Sequence, residues 1–315
     1  MNVLCYPLRP RTAFGTPLAG DTLFGQLCWT LRHQLGNECL QELLAGYTEG
    51  RPFAVVSDAM PAGHVPLPAL PSRFWEADES ADRKALKKRR WLAVENLAQP
   101  LRKWQMLARS DADVASVIER AQPHNTISRT TGTTGTGVFA PYSMTQRWHR
   151  PDVCLDLYVL FDEARLSEAE LTAALTCIGE TGYGRDASIG LGKFDLDTAT
   201  PAQWHVPPAA NSWLTLAPCA PQGQGFCPVR SHWQVMTRFG RHGDAAVHGG
   251  NPFKKPLLLA RAGAVLRPEN MDTRQCVIGQ GIGGEQQPIS TVMAQTVHQG
   301  YAPVIPIHCP DEVAA

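Results

Sequence analysis

Apolar residues first recur at helical spacing across Asp21 to Leu35, where Phe24, Leu27, Cys28, Leu31 and Leu35 share one face. Asp21 reads as the N-cap of this helix and Gly36 as its stop. A helix with one apolar stripe must bury it, and the extended run 2–8 ahead of it supplies a strand to pack against. A shorter helix is expected over 39–44 and a strand over 53–57, before a proline-studded connector, 61–71. Segments 137–147 and 153–161 read as two strands of one hairpin turning around 148–152. Ser167 and Glu170 have the spacing of a capping box, and Leu171, Ala174, Leu175 and Ile178 give a second helix its apolar face. A short strand over 190–196 follows.

The resulting order, β-α-insertion-β-β-α-β, is the ferredoxin-like arrangement on which RNA-recognition folds are built, so the expected class is α+β. A proline-rich stretch, 200–208, marks a boundary. Beyond it lie strand candidates at 213–216, 229–239, 256–266, 276–278 and 302–307, with no strong helix. The expected domains are therefore 1–199 and a β-rich 209–315.

Charge alters the picture at one place. The 315 residues carry 29 basic and 29 acidic side chains, which excludes a uniformly cationic surface for nucleic acid. Segment 81–109 nevertheless holds nine Lys and Arg against only Asp82 and Glu95, a local excess of seven positive charges. Its densest part is Lys87, Lys88, Arg89 and Arg90. So polarised an inserted arm is either a solvated face or the footprint of an anionic partner.

The nine cysteines are scattered, with no C-x-x-C and no histidine at a ligand offset, so reduced thiols and no zinc are expected. No apolar run reaches the ~18 residues of a membrane span and no signal-type segment opens the chain, which points to the cytoplasm. The glycine-rich run 179–193 sits between the second helix and a strand, where backbone N–H groups can approach phosphates. It fails the Walker pattern, because Ala187 occupies the first glycine position and Phe194 follows Lys193. No nucleotide cofactor is expected. Arg185, Ser188 and Lys193 make phosphate contact the favoured reading of this loop. A second glycine run, 279–284, contains no cation and reads as close backbone packing.

Segment 124–129 gathers an imidazole, an amide, hydroxyls and a guanidinium ahead of a Thr/Gly run. His124, Asn125, Ser128 and Arg129 are donors that phosphates, ribose hydroxyls and splayed bases accept from. His124 has an alternative as the general acid or base of a metal-independent ribonuclease. Lys254 and Lys255 add two cations ahead of a strand.

These pieces resemble the RAMP superfamily of CRISPR effector subunits, and within it the fourth-subunit family of type III-A Csm complexes. The likeness rests on 16–25 (TPLAGDTLFG), 86–91 (LKKRRW), 124–129, 182–192, 253–263 and 300–306 (GYAPVIP), in that order. The resemblance implies two ferredoxin-like domains, the second degenerate, with an inserted arm. It implies a non-catalytic subunit that clamps the 5′ tag of the CRISPR RNA, between the large polymerase-cyclase subunit and a backbone RAMP subunit. By the same resemblance His124, Arg129, Arg185, Lys254 and Lys255 become tag contacts, and the basic arm a contact to RNA or to a neighbouring subunit.

Overall fold

The computed structural model describes residues 1–76, 82–115, 117–248 and 250–311. Its elements run β1 (Asn2–Pro10), α1 (Gly20–Leu35), α2 (Asn37–Leu44), β2 (Ala54–Val56), β3 (Met60–Pro61), β4 (His64–Pro66), α3 (Arg83–Lys88) and β5 (Arg89–Ala93). Then come α4 (Trp104–Leu107), β6 (Arg109–Ser110), α5 (Asp111–Val114), β7 (Ile118–His124), β8 (Tyr142–Trp148), β9 (Leu155–Phe161), α6 (Glu168–Thr181) and β10 (Phe194–Leu196). The remainder is β11 (Thr200–Pro201), β12 (Ser212–Thr215), β13 (Val235–Arg238), β14 (Leu257–Ala260), β15 (Val265–Leu266), β16 (Val277–Gly283) and β17 (Val297–Ile307).

The principal sheet has the order β10-β1-β9-β2, antiparallel throughout. With α1 between β1 and β2, and α6 between β9 and β10, the β-α-β-β-α-β order read from the sequence is present. Alternation along β1 sends Leu4, Tyr6 and Leu8 to one face, where they meet Leu23, Leu27 and Leu31 of α1 and Leu171, Leu175 and Ile178 of α6. The capping box of Ser167 and Glu170 forms as expected.

Asp21 does not cap α1. The N-cap is Ala19, which has no capping side chain; instead Gly20 N–H donates to Asp58 Oδ1 at 2.8 Å. A carboxylate 38 residues away in sequence thus satisfies a donor at the helix start, and Asp21 is left buried in the first turn.

Two further expectations are corrected. The strand over 137–147 pairs not with 153–161 but with β7, from Ile118↔Trp148 to His124↔Tyr142. β9 instead lies between β1 and β2 and is buried along its whole length. The connector 61–71 is not an open linker, because β4 pairs with β5 of the basic arm and β5 with β6, making a three-stranded sheet.

The second sheet, β15-β12-β17-β16, covers the other face of the first. Tyr158 and Met60 share a cluster with Leu214, Leu216, Val265, Ile305 and Ile307, and the same cluster takes in Trp75 and, from the arm, Leu92 and Trp104. Trp204 packs on Tyr158 with ring centroids 4.7 Å apart, and β11 pairs with β1, so the stretch expected as a boundary is stitched into the first sheet. The exposed edge of β2 is closed by a side chain: Gln299 on β17 accepts from Val56 N at 2.9 Å and donates to Val56 O at 2.8 Å. Glycine run 279–284 falls in β16 up to Gly283, and a Cβ on Gly281 would stand 2.4 Å from the Tyr47 carbonyl, the close backbone packing expected.

Candidate nucleic-acid interface

The sheet face that RNA-recognition folds present to bases is covered in this chain by Trp204 and the second sheet, so the exposed sequence-read residues lie on loops and ribbons around it. The glycine loop is fixed to the segment after β1. Gly192 N–H donates to the Ala13 carbonyl and Tyr183 N–H to the Gly192 carbonyl, at 2.8 and 2.9 Å. Gly192 has φ 74°, and a Cβ there would meet Tyr183 O at 2.1 Å, so only glycine fits. Gln26 of α1 reads both sides of the turn, donating to Gly182 O at 2.7 Å and accepting from Gly184 N at 3.2 Å.

Arg185 joins this loop to the β7–β8 hairpin. Its backbone N–H donates to Thr16 Oγ1 at 3.1 Å, and its guanidinium donates to the Thr145 carbonyl at 2.9 Å and lies 3.3 Å from Asp186. With 42% of its side chain still exposed, it keeps an open edge for an anion. Ser188 and Lys193 are exposed on the same loop, and Lys193 N–H is held by Thr12 Oγ1 at 2.9 Å. Arg9 and Arg11 close by are matched to Asp197 and Asp195 at 2.8 Å, which neutralises them.

His124 ends β7, three strand residues beyond the Ala121↔Thr145 pair, or about 10 Å along the hairpin. Its ring stacks on Tyr142 across the strand, with centroids 5.3 Å apart and planes within 16°. Asn125 and Arg129 are exposed; Ser128 is half-buried in a turn closed by Gly132 N–H on its carbonyl at 2.9 Å. The hairpin therefore presents a flat aromatic pair, one amide and one guanidinium at its tip. Tyr142 escaped the sequence reading because its value comes from a cross-strand neighbour 18 positions away.

The remaining cations divide by environment. Lys254 turns inward over α1, where burial lowers its ammonium below the ordinary lysine value against the opposing pull of Cys28 and Asp21, while Lys255 is exposed. In the arm, Lys87 and Lys88 are exposed on α3. Arg89 donates to the carbonyls of Gln105 and Met106 at 3.1 and 2.5 Å, and Arg90 pairs with Asp111 at 2.9 Å. Both arginines therefore brace the arm itself. Ala81, where the basic run opens, lies outside the described residues. The arm is built onto the cluster of the second sheet, whereas the glycine loop and hairpin meet at Arg185.

Among the described residues no group of three or more His, Cys, Asp or Glu is arranged to hold a metal ion, and no helix is long and apolar enough to cross a membrane. All nine cysteines are free thiols, and burial pushes Cys28 and Cys219 up to about 12.

No family model matches the sequence, and no curated protein does. Solved structures do match. A chain of the Csm1–Csm4 cassette crystallised with pppApA superposes with a TM-score of 0.64 at 16% identity, covering 98% of this chain and 99% of that one. The cassette with cA4 gives 0.63 at 15% over the same shares. The Csm3–Csm4 subcomplex of the type III-A CRISPR-Cas interference complex gives 0.59 at 11%, over 98% and 100%. Csm4 is the component that all three assemblies have in common. The chain shares the fold of that component. Csm4-type folds thus tolerate a sequence in which fewer than one residue in five is retained, which puts the weight of any functional reading on the placement of side chains.

Proposed function

We propose that this chain is the subunit of a type III-A CRISPR effector complex that holds the 5′ tag of the guide RNA and does not cut it. The observation that carries this reading is the match in fold, end to end, to chains crystallised within Csm1–Csm4 and Csm3–Csm4 assemblies. In this reading residues 1–199 and 209–315 are two ferredoxin-like domains, the second degenerate, and the chain bridges a large polymerase-cyclase subunit and a backbone RAMP subunit.

The tag lies along the rim made by the hairpin and the glycine loop. Arg129 and Arg185 take phosphates, Asn125, Ser128 and Ser188 bond ribose or base edges, and the His124–Tyr142 pair offers a surface to one base. Lys193 extends the positive rim, Lys255 adds a cation on a ribbon apart from it, and Lys87 and Lys88 of the arm meet RNA or an acidic neighbour. His124 serves recognition in this scheme, since a ring laid flat against Tyr142 is placed for stacking.

Co-expression of the tagged chain with a large polymerase-cyclase subunit, a backbone RAMP subunit and a repeat-spacer transcript tests the reading. The expected result is recovery of both proteins together with RNAs whose 5′ ends carry repeat sequence. Recovery of neither protein, or RNA with random 5′ ends, overturns it. Purified chain that cleaves repeat RNA in EDTA, with cleavage lost in His124→Ala, would establish the ribonuclease alternative instead.

A further inference from the structure

Past β13 the chain stays extended and paired. Lys254 N–H donates to the Gly240 carbonyl at 2.8 Å, Arg241 and Phe253 form an antiparallel bridge, and His242 N–H donates to the Pro252 carbonyl at 2.8 Å. Together with β13 and β14 this makes one two-stranded ribbon from Val235 and Ala260 to His242 and Pro252. Side chains alternate with a period of two along the outgoing strand, while the return strand carries one extra residue between Phe253 and Leu257, so that its outward set runs Phe253, Lys255 and then Leu258. Arg238 and His242 face the body of the protein, one on Asp21 and the other with Nε2 2.7 Å from Ser290 Oγ. Val235, Thr237, Phe239 and Arg241 face solvent, joined by Phe253, Lys255 and Leu258 from the return strand.

Two features set this outward face apart. Phe239 is 70% and Phe253 55% exposed, a large cost in hydration for rings that the same backbone would bury if shifted by one residue. Each ring also has a cation opposite it, Arg241 across from Phe253 and, two residues along, Lys255 beside Phe239. The two rings are diagonal neighbours across the ribbon, roughly 7 Å apart, and both stand open to solvent. No Asp or Glu occurs in 235–241 or 253–258.

We infer that this outward face is a stacking platform for single-stranded RNA, with bases on Phe239 and Phe253 and phosphates on Arg241 and Lys255. An apolar protein surface would leave both cations desolvated without a counter-charge, and an acidic peptide would leave the rings in water. A single strand satisfies both, because every base has a π-face and every linkage a phosphate. The inference rests on the RNA-holding role proposed above and gives it a second, sequence-tolerant contact separate from the hairpin tip.

The test is fluorescence anisotropy of the full chain with two labelled RNAs, an oligouridylate without a tag and an RNA carrying a repeat-derived tag, each across a salt series. Phe239→Ala and Phe253→Ala should each weaken oligouridylate binding roughly 5–150-fold with an unchanged salt slope. Phe239→Trp should bind at least as tightly as the wild type, and Phe239→Leu as poorly as the alanine variant. Lys255→Gln should flatten the slope by about 0.7. Unchanged melting temperatures keep these effects apart from folding. Leucine binding as well as phenylalanine, or both alanine variants binding RNA like the wild type, overturns the platform; loss of a co-purifying protein in those same variants would then mark the face as a protein contact. Loss of tag preference in Arg129→Ala with oligouridylate binding intact bears on the tag reading and leaves the platform standing. Failure of the wild type to bind either RNA removes both.

Discussion

Arg238 on β13 grips Asp21 in the first turn of α1 through two nitrogens, at 2.5 and 2.8 Å. The carboxylate is fully buried and the guanidinium 22% exposed, with His298 of β17 closing the third side at 3.3 Å. Burial alone would raise the Asp21 carboxyl; the His298 ring and the Arg238 guanidinium outweigh it and hold the group below its usual range. This pair fastens the ribbon carrying Phe239 to the helix that packs on the first sheet. Asp21→Asn leaves Arg238 half-buried without a counter-charge and should cost about 3–5 kcal/mol of unfolding free energy in a urea titration. Replacing both, Asp21→Asn with Arg238→Met, should recover part of that loss. Equal stability of the single variant and the wild type would remove the pair from any structural role.

Asp58 makes the chain's stability depend on pH near neutrality. Its carboxyl is pushed up to about 7, by burial and by the Asp21 charge, against the opposing Gly20 N–H and Arg238. Folded, it keeps its proton up to that pH; unfolded, it releases it near 3.9. The folded state binds the extra proton in between, so this contribution is complete below the unfolded value and is lost as pH rises through 7. Melting temperature should fall between pH 5 and 8 in the wild type and stay flatter in Asp58→Asn. Parallel curves would assign the dependence to another group.

At the hairpin tip, Arg129→Ala removes a guanidinium able to make paired contacts. A lost charge-assisted bond costs about 1.5–3 kcal/mol, or ~10–150-fold in affinity for tag RNA. Tyr142→Ala takes away the ring under His124 and should cost about 1–3 kcal/mol, where His124→Ala costs less. Anisotropy titrations with and without the tag give the comparison; equal losses on both RNAs would show that the tip contributes charge without recognition.

The arm should separate into two classes. Lys87→Glu with Lys88→Glu changes exposed groups, so folding persists while the log–log salt slope for RNA drops by about 1.4 if two phosphates are met there. Arg89→Glu strips the Gln105 and Met106 carbonyls of their donor and should lower the melting temperature before any RNA is added. An unchanged slope together with weaker complex assembly would assign Lys87 and Lys88 to a protein neighbour.

What was legible in the sequence is what carries a periodic apolar signal. α1 and α6 announce themselves by a stripe, and β1, β9 and β17 by density of branched and aromatic residues. β7 was not legible, because Ile118–His124 exposes nearly every side chain and has no apolar face to count. Its absence left 137–147 to be paired with the next strand instead. Asp21 was misread for a different reason: Asp before an apolar stripe is a good local cap, and only the fold brings Asp58 to that helix start. The proline connector and the Trp204 segment look like linkers because prolines interrupt them, yet short bridges between prolines suffice to dock both. The site follows the same rule. Single residues such as Arg185 and Lys255 could be named, but not their neighbours Tyr142, Phe239 and Phe253, whose significance lies in who stands opposite.

Trp204 over Tyr158, and the second sheet behind it, commit the broad face of the first sheet to holding the molecule together. In the proposed reading this leaves recognition to a hairpin and a ribbon whose outward side chains are exposed. Substitutions there are nearly free in stability, within about 0.5 kcal/mol, whereas the buried face charges several times that for each change. In the proposed reading specificity and architecture are uncoupled: the rim can be rewritten residue by residue to follow a drifting repeat sequence while the interior keeps its shape.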